Sequence, residues 1–297
     1  MHDHHMNIRL GVCCLVLGVN QTAFKTLQLK RTQLEINPLE KVFTVYQNNL
    51  NELVKVLKYL ESVDILQYRI SSDMFPLADH PEFKHLWDTF CEKDYFWINA
   101  RNAVKHYLEI GGRLSTHPDQ FCIISSANED TNKKGIINLE YHAKMFDMLG
   151  IPRSYFCPIN IHVSNGKSSD NAGIVVKRNI QLLSESVRSR LVFETEDKSY
   201  WTYQNLHKHF PNIPITLDYH HRLINNMGEN EQEAHDFCVQ TWKDTVPLFH
   251  HSEGRTNPLD RAHSDFIENL PVCAKNVDIE IEAKQKNLAV LKLKNIP

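Results

Sequence analysis

Short apolar runs alternate along this chain with longer stretches in which apolar residues recur every three or four positions. The helical repeat is clearest at Leu50, Leu53, Val54, Leu57 and Leu60, which would share one face of a helix. The short runs between such stretches are typical of buried strands. The predicted strands span residues 8–14, 65–70, 113–116, 158–161, 190–193, 213–217, 246–249 and 277–281. The predicted helices span residues 42–60, 96–110, 134–149, 173–186, 203–209 and 231–245, with a short helical piece after residue 263.

The order of these elements predicts the fold class. A strand followed by a helix, repeated about eight times, indicates a parallel sheet closed into a barrel. An open, doubly wound sheet is the alternative, but no glycine-rich GxGxxG turn follows the first strand. No linker rich in Pro, Ser or Gly divides the chain. We therefore predict a single-domain α/β protein, a TIM-type (β/α)8 barrel over residues 7–297, after a disordered N-terminal extension at residues 1–6.

Composition and charge narrow the classes of protein further. Hydrophobic residues make up 42% of the chain, and a net charge of −3 neither favours nor excludes a nucleic acid partner. No apolar run reaches the length of about eighteen residues that a membrane span needs, and the N-terminal segment lacks the apolar core of a signal peptide. The seven cysteines include no CxxC pair, so we expect reduced, buried thiols. A cytoplasmic or nuclear location without membrane contact is expected.

Histidines and carboxylates follow the apolar runs of nearly all the predicted strands. Active sites of α/β barrels lie at the carboxyl ends of the strands, so these side chains should meet at one mouth. A single such residue is more often a hydrogen-bonding partner or a helix cap, but that reading explains the whole set poorly. Imidazole and carboxylate ligands suit Mn²⁺, Fe²⁺ or Zn²⁺. The candidates are His117, His162, Glu194, Asp218, one of His220 and His221, one of His250 and His251, and Glu282, with His80 and His263 from loops.

Eight segments, in this order, resemble the UV damage endonuclease family, whose barrel is related to that of apurinic nucleases of the endonuclease IV type. The segments are NIRLG, YRISSDMFPLADHP, RLSTHPDQF, LVFETEDK, LDYHH, HHSEG, RAHSDFI and DIEIEAK, and the resemblance covers nearly the whole chain from Met6 onward. It implies a DNA repair endonuclease that nicks double-stranded DNA immediately 5′ to pyrimidine dimers by attack of a metal-activated water. It also implies up to three divalent ions, generally manganese, with Zn²⁺ or Mg²⁺ as alternatives. We expect a monomer without a nucleotide cofactor.

The resemblance assigns the site residues by motif. It selects His221 over His220 and His250 over His251. Glu194 matches the glutamate that bridges two metals in related nucleases. The implied metal ligands are His80, His117, His162, Glu194, Asp218, His221, His250, His263 and Glu282. The predicted catalytic residues among them are Glu194, Glu282 and His117.

Lesion recognition is expected from the HPDQF segment. The family places a glutamine followed by an aromatic residue there, which falls on Gln120 and Phe121. The residues alone favour a different interpretation, in which Phe121 packs in the core with the rest of the FCII run; the resemblance favours a probe that enters the duplex. Arg222 and Arg255 are the predicted contacts to the DNA backbone. Weaker candidates among loop cations are Lys133, Lys134 and Lys167.

This chain departs from the family pattern at two positions, and the consequence of each departure is open. Some members carry a further tyrosine probe shortly after the glycine of the first strand, where this chain has Val12 and Cys13. Some carry a lysine, reported as carboxylated, at the position of Leu248.

An apurinic-site endonuclease without dimer specificity is one alternative function. A metal-dependent sugar isomerase or epimerase on the same barrel is the other, although it would need about four ligands.

Overall fold

Eight parallel strands form one sheet in the computed structural model, which describes residues 7–18, 23–24, 26–163, 170–198, 200–226 and 228–295. The sheet runs in the order β8-β7-β6-β5-β4-β1-β10-β9, and a parallel bridge between Asp218 and His250 joins its two ends. The predicted TIM-type barrel is confirmed. The barrel strands are β1 Ile8–Cys13, β4 Gln67–Ile70, β5 Arg113–Thr116, β6 Ile159–Ile161, β7 Leu191–Glu194, β8 Ile215–Thr216, β9 Leu248–His251 and β10 Val277–Ile281. A small antiparallel hairpin comprises β2 Val16–Leu17 and β3 Ala23–Phe24.

Helices separate the barrel strands along the chain, except between β9 and β10, and their apolar faces pack against the outside of the sheet. The first helix buries the five residues whose spacing predicted it. Among the described residues, no helix is long and apolar enough to cross a lipid bilayer. The predicted extension at residues 1–6 and Lys167 lie outside the described residues. The helices are α1 Pro38–Ser62, α2 Lys84–Cys91, α3 Ile98–Glu109, α4 Glu129–Met148, α5 Asp170–Ile180, α6 Glu185–Arg188, α7 Tyr203–His209, α8 Tyr219–Ile224, α9 Glu231–Thr241 and α10 Lys286–Lys294.

Several helix predictions were wrong in extent or place. The predicted helix 173–186 is two helices, because the Ser184 side chain accepts a hydrogen bond from the Val187 amide and caps a new helix. Helices α2, α8 and α10 were not predicted, since each is too short for a clear period of 3.6 residues. No helix forms in residues 264–276; the last helix follows β10 instead.

The interior of the barrel is unusually polar, because inward-facing residues on β10 and its neighbours carry charge. Asp278 lies near the start of β10 and is 2% exposed. Its carboxylate accepts hydrogen bonds from Arg9 at 2.7 and 3.0 Å and from Arg113 at 3.1 Å. A buried charge is tolerated only when it is paired in this way. The arrangement leaves Glu280 and Glu282, two and four residues further on, to face the opposite mouth.

The core also holds a neutral histidine that makes stability depend on pH. His142 on α4 is 1% exposed, and burial lowers its pKa to about 4. Below about pH 6.5 the unfolded chain binds a proton at His142, whereas the folded protein does not bind it until the pH approaches 4. The free energy of unfolding is therefore unaffected by His142 above about pH 6.5, and it decreases as the pH falls from there towards 4. Between pH 7 and pH 5 the free energy of unfolding decreases by about 2 kcal/mol through His142.

We expect His142→Gln to remove this part of the acid sensitivity. The measurement is urea unfolding at pH 7 and pH 5, compared with wild type and with His85→Gln as a control, because His85 is exposed on α2. An unchanged loss of unfolding free energy between the two pH values in His142→Gln would contradict the prediction.

Candidate metal centre

Glu194 is the centre of a cluster of imidazoles at the carboxyl mouth of the barrel. It ends β7 and is 1% exposed. Its Oε2 atom lies 2.7 Å from Nε2 of His117 and 3.3 Å from Nε2 of His162. Its Oε1 atom lies 3.0 Å from Nδ1 of His250 and 3.5 Å from Nδ1 of His221. Four histidines from different strand ends thus surround one carboxylate, as the parallel strands dictate.

Two further carboxylates adjoin Glu194. Asp218 follows β8 and caps α8, its Oδ1 accepting a hydrogen bond from the His221 amide at 2.8 Å, while its buried Oδ2 has no hydrogen-bond partner. Glu282 follows β10, and its Oε1 lies 3.4 Å from Nδ1 of His250. Atoms of Glu194, Asp218, His250 and Glu282 lie within 4.8 Å of one another. A buried oxygen that accepts no hydrogen bond, within a set of nitrogen and oxygen donors, fits a divalent cation.

Protons on imidazoles balance the carboxylates of this cluster. Burial would lower the pKa of His250, but Glu194 raises it to about 10. Burial opposes protonation of His221 as well, and Asp218 raises its pKa to about 9. Burial raises the pKa of Asp218 to about 7. Divalent cations need deprotonated ligands, so they would replace these protons as the source of positive charge.

Backbone carbonyls hold two of the rings. Nδ1 of His117 donates to the carbonyl oxygen of Pro118 at 2.7 Å, and Nδ1 of His221 donates to that of Thr195 at 2.8 Å. Such bonds fix the ring orientation and leave Nε2 available as a ligand atom. The donor chemistry and the anchoring both fit a metal site.

The structure separates the members of the adjacent histidine pairs. Nε2 of His220 donates to the Pro258 carbonyl oxygen at 3.0 Å, and Nε2 of His251 donates to that of Asn269 at 2.9 Å. Both rings therefore anchor loops of the scaffold. His221 and His250 are the members that face Glu194, which is the choice the resemblance implied.

The two loop histidines differ in their relation to the cluster. Nε2 of His263 is 3.8 Å from Oε2 of Glu282. Nδ1 of His80 accepts a hydrogen bond from the Glu82 amide, and its ring contacts Phe83. These contacts of His80 are with its own segment, so its role as a ligand stays a prediction.

Arg69 and Glu280 belong to the site, although neither was predicted. Nε of Arg69, on β4, donates to Oε2 of Glu280 at 2.7 Å, and Nη2 donates to Oε1 of Glu282 at 2.8 Å and lies 2.9 Å from Nε2 of His250. Burial would raise the pKa of Glu280, but Arg69 holds it well below its usual range. Alternate residues of a strand lie on the same face, and Glu280 lies two residues before Glu282. This alternation could have predicted from the sequence that Glu280 faces the inside of the barrel.

Gln120 and Phe121 lie on a loop beside the cluster. Phe121 is 75% exposed, so the interpretation that placed it in the core is wrong, whereas Cys122 is buried. The loop forms one side of an open cleft of about 480 Å³. His162 and His221 line the same cleft, which places the exposed aromatic ring next to the candidate metal centre. Entry of these residues into a duplex stays a prediction.

The basic residues that were predicted to contact DNA differ in their exposure and in the element on which they lie. Arg222, on α8, is only 7% exposed, and its guanidinium lies 3.6 Å from Glu229 and 3.9 Å from Glu231. This placement corrects the prediction that Arg222 contacts the DNA backbone, because burial and pairing withdraw it from the surface. Arg255 is exposed on the loop after β9. Lys133 and Lys134 are on α4 rather than on a loop.

The fold and the cluster together define a class of protein, the TIM-type barrels with a carboxylate–imidazole centre at the carboxyl mouth. The family model for UV-endonuclease UvdE matches residues 8–296. The chain therefore belongs to the UV-endonuclease UvdE family, and so to the DNA repair endonucleases.

Two individual relatives agree with this assignment, and a third likeness concerns only the fold. The UV DNA damage endonuclease of Bacillus cereus (strain Q1) is 33% identical over 267 residues, which cover 85% of this chain and 81% of that protein. The crystal structure of SacUVDE superposes with a TM-score of 0.81 and 26% identity over 96% of each chain. A xylose isomerase domain protein from Planctomyces limnophilus reaches a TM-score of 0.50 at 12% identity, over 80% of this chain and 89% of that one. This last likeness shows the fold alone.

Proposed function

We propose that this protein nicks double-stranded DNA immediately 5′ to UV photoproducts, in a reaction that depends on divalent metal ions. The observation that carries the proposal is the buried Glu194 carboxylate among four histidines, next to a cleft with an exposed aromatic residue. The family assignment supports DNA as the substrate. Mn²⁺ is the ion that the resemblance implies, and the carboxylate and imidazole donors of the cluster suit it; Zn²⁺ or Mg²⁺ are the alternatives.

The residues of the chain would hold and orient the ions. The two oxygens of Glu194 face different imidazole pairs, so one carboxylate can serve two ions. Asp218 offers Oδ2, which accepts no hydrogen bond, and the hydrogen bond from Arg69 holds the Glu282 carboxylate beside the cluster. Bound ions would supply a nucleophilic water at neutral pH and stabilise charge on the phosphodiester. The proposed ligands are His80, His117, His162, Glu194, Asp218, His221, His250, His263 and Glu282.

Lesion selectivity would come from the cleft. A dimerised pyrimidine pair stacks and pairs poorly, so extruding it costs less than the few kcal/mol of an ordinary flip. Phe121 can stack in the gap that the lesion leaves, and Gln120 can hydrogen-bond to the exposed bases. Arg255 is the remaining predicted contact to the phosphate backbone. We propose that the protein acts as a monomer. The cytoplasmic or nuclear location of the protein stays a prediction.

One assay separates this function from the apurinic-site alternative. End-labelled duplexes that are UV-irradiated, abasic or undamaged are incubated with the protein and Mn²⁺, and the cut is mapped. We expect a nick directly 5′ to the dimer that leaves a 3′-hydroxyl and a 5′-phosphate. Cutting at abasic sites with none at dimers would identify an apurinic nuclease, and cutting of neither would refute the proposal.

The inward face of β9 leads to a prediction about lysine modification. Leu248 is buried, two residues before His250, and Glu280 on β10 is in register with His250. An anion is therefore present beside His250 without a carboxylated lysine. We expect cleavage to be the same in bicarbonate-free buffer and in buffer with added bicarbonate. A clear rise in rate with bicarbonate, or a carboxylated lysine elsewhere in the site by mass spectrometry, would contradict this.

A further inference from the structure

The loop after β9 folds into a turn, residues 254–263, which carries His263, one of the proposed metal ligands. Gly254 and His263 form an antiparallel bridge at the base of the turn. Near the end of the turn, Oδ1 of Asp260 accepts a hydrogen bond from the Ala262 amide at 3.0 Å. Gly254 is required at the base, because a Cβ atom there would lie 1.9 Å from a backbone oxygen of the same turn. The backbone between Asp260 and Ala262 is therefore fixed by contacts within the turn.

Arg261 extends from this turn to the loop after β7, where it pairs with an aspartate. Its Nε atom lies 3.1 Å from Oδ2 of Asp197, and the two side chains are 53% and 24% exposed. Asp197 lines the cleft of about 480 Å³ that His162 and Phe121 also line. The ion pair therefore holds the guanidinium at the rim of that cleft, beside the candidate metal centre.

Acidic side chains line the cleft that the DNA backbone would have to approach. Asp119, Glu196 and Asp197 line it, together with Lys198. Carboxylates repel phosphodiesters, so binding of DNA requires cations at the rim. Arg261 offsets the charge of Asp197, and it has no second ion-pair partner among the residues that the structure describes. Because the side chain is half-exposed, its Nη1 and Nη2 hydrogens are available to an anion, and a planar guanidinium matches the geometry of a phosphate.

We propose that Arg261, held at the rim of the cleft by Asp197, binds a phosphate of the DNA backbone. The proposal rests on the proposed function and adds a substrate-binding residue to it. Phosphate contacts position a protein on DNA without reading the bases, so Arg261 should act on damaged and undamaged duplexes alike. The association constant of such a complex falls with salt concentration, and the slope of the double-logarithmic plot steepens by about 0.9 for each phosphate that the protein neutralises.

The salt dependence of binding to an undamaged duplex measures this contact. Protein with Mn²⁺ is titrated into a fluorescently labelled duplex between about 50 and 200 mM salt, and the anisotropy gives the association constant. We expect Arg261→Gln to bind more weakly than wild type and to have a slope that is smaller by about 0.9. The ratio of the two association constants should then shrink about three- to fourfold from the lowest to the highest salt concentration.

Two further variants separate a phosphate contact from a merely structural ion pair. Asp197→Asn breaks the pair but keeps the cation, so it should bind the duplex more tightly than wild type, because a carboxylate that repels phosphates is lost. Arg153→Gln is the matched control, since Arg153 is 48% exposed and lies 2.8 Å from Asp147, but precedes β6 at the amino end of the barrel. It should bind as wild type does.

All three variants should fold, because exposed ion pairs contribute little to stability, and thermal unfolding checks this. A wild-type slope in Arg261→Gln would overturn the proposal. Equal weakening of binding in Asp197→Asn, or the same reduced slope in Arg153→Gln, would overturn it as well.

These binding measurements do not depend on cleavage. Wild-type protein whose salt dependence is reduced by Arg261→Gln, but which leaves irradiated DNA uncut, would support the phosphate contact and refute the proposed function. Wild-type protein that cuts irradiated DNA, but whose salt dependence is unchanged by Arg261→Gln, would do the reverse. The two proposals therefore fail separately.

Discussion

Replacing Glu194 by glutamine is expected to lower cleavage of irradiated DNA by at least about a hundredfold. The substitution keeps the shape of the side chain but removes the charge that faces His117, His162, His221 and His250. Loss of groups that merely support metal ligands already costs about 10–100-fold, so loss of a central carboxylate should cost more. An amide can also present only one oxygen, which ends its ability to serve two ions.

The measurement pairs the cleavage rate with metal analysis of the purified proteins. Wild type should contain more than one equivalent of transition metal, and Glu194→Gln should contain less. Asp278→Asn is the control, because it removes a buried carboxylate that pairs with Arg9 and Arg113 outside the cluster. Its folded fraction should cut at the wild-type rate. Full activity in Glu194→Gln, together with a single tightly bound Mg²⁺ in wild type, would refute the metal cluster.

Replacing Phe121 by alanine is expected to weaken productive binding of dimer-containing DNA by about ten- to a hundredfold. An aromatic ring stacked on a base contributes about 1–3 kcal/mol. Abasic DNA already has a gap and needs less distortion, so the loss on abasic sites should be smaller. Phe121 is 75% exposed, and exposed substitutions usually change the free energy of unfolding by less than about 0.5 kcal/mol. The variant should therefore be as stable as wild type.

Thermal unfolding and cleavage of both substrates, measured side by side, test this expectation. The control is Tyr95→Ala, since Tyr95 is also an exposed aromatic residue, at 63%, but lies just before α3 rather than at the cleft. It should cut both substrates at the wild-type rate. An early-melting Phe121→Ala protein with equal losses on dimers and abasic sites would mean that the ring stabilises the loop and does not probe the lesion.

Comparison with the sequence shows that short-range patterns carry the fold. All eight barrel strands were predicted in the right order, because buried parallel strands are apolar runs and each amphipathic helix repeats its apolar residues along one face. The strand ends also predicted which side chains meet around Glu194. That inference needs no distances, since parallel strands bring their carboxyl ends to one mouth. The order of strands and helices was thus enough to predict that the residues at the strand ends lie together at one mouth of the barrel.

The sequence by itself therefore determined the barrel, its mouth and the candidate ligands there, whereas the tertiary structure decided which neighbouring residue does what. Adjacent residues such as His220 and His221 are equivalent in a pattern, but a helix turns them to different sides, one towards Pro258 and the other towards Glu194. Arg222 looks like a surface cation in the sequence, yet Glu229 and Glu231 draw it inwards. The pairing of Glu280 with Arg69 joins residues 211 positions apart. Contacts across a closed barrel depend on strand register and ring orientation, and neither is encoded in local spacing.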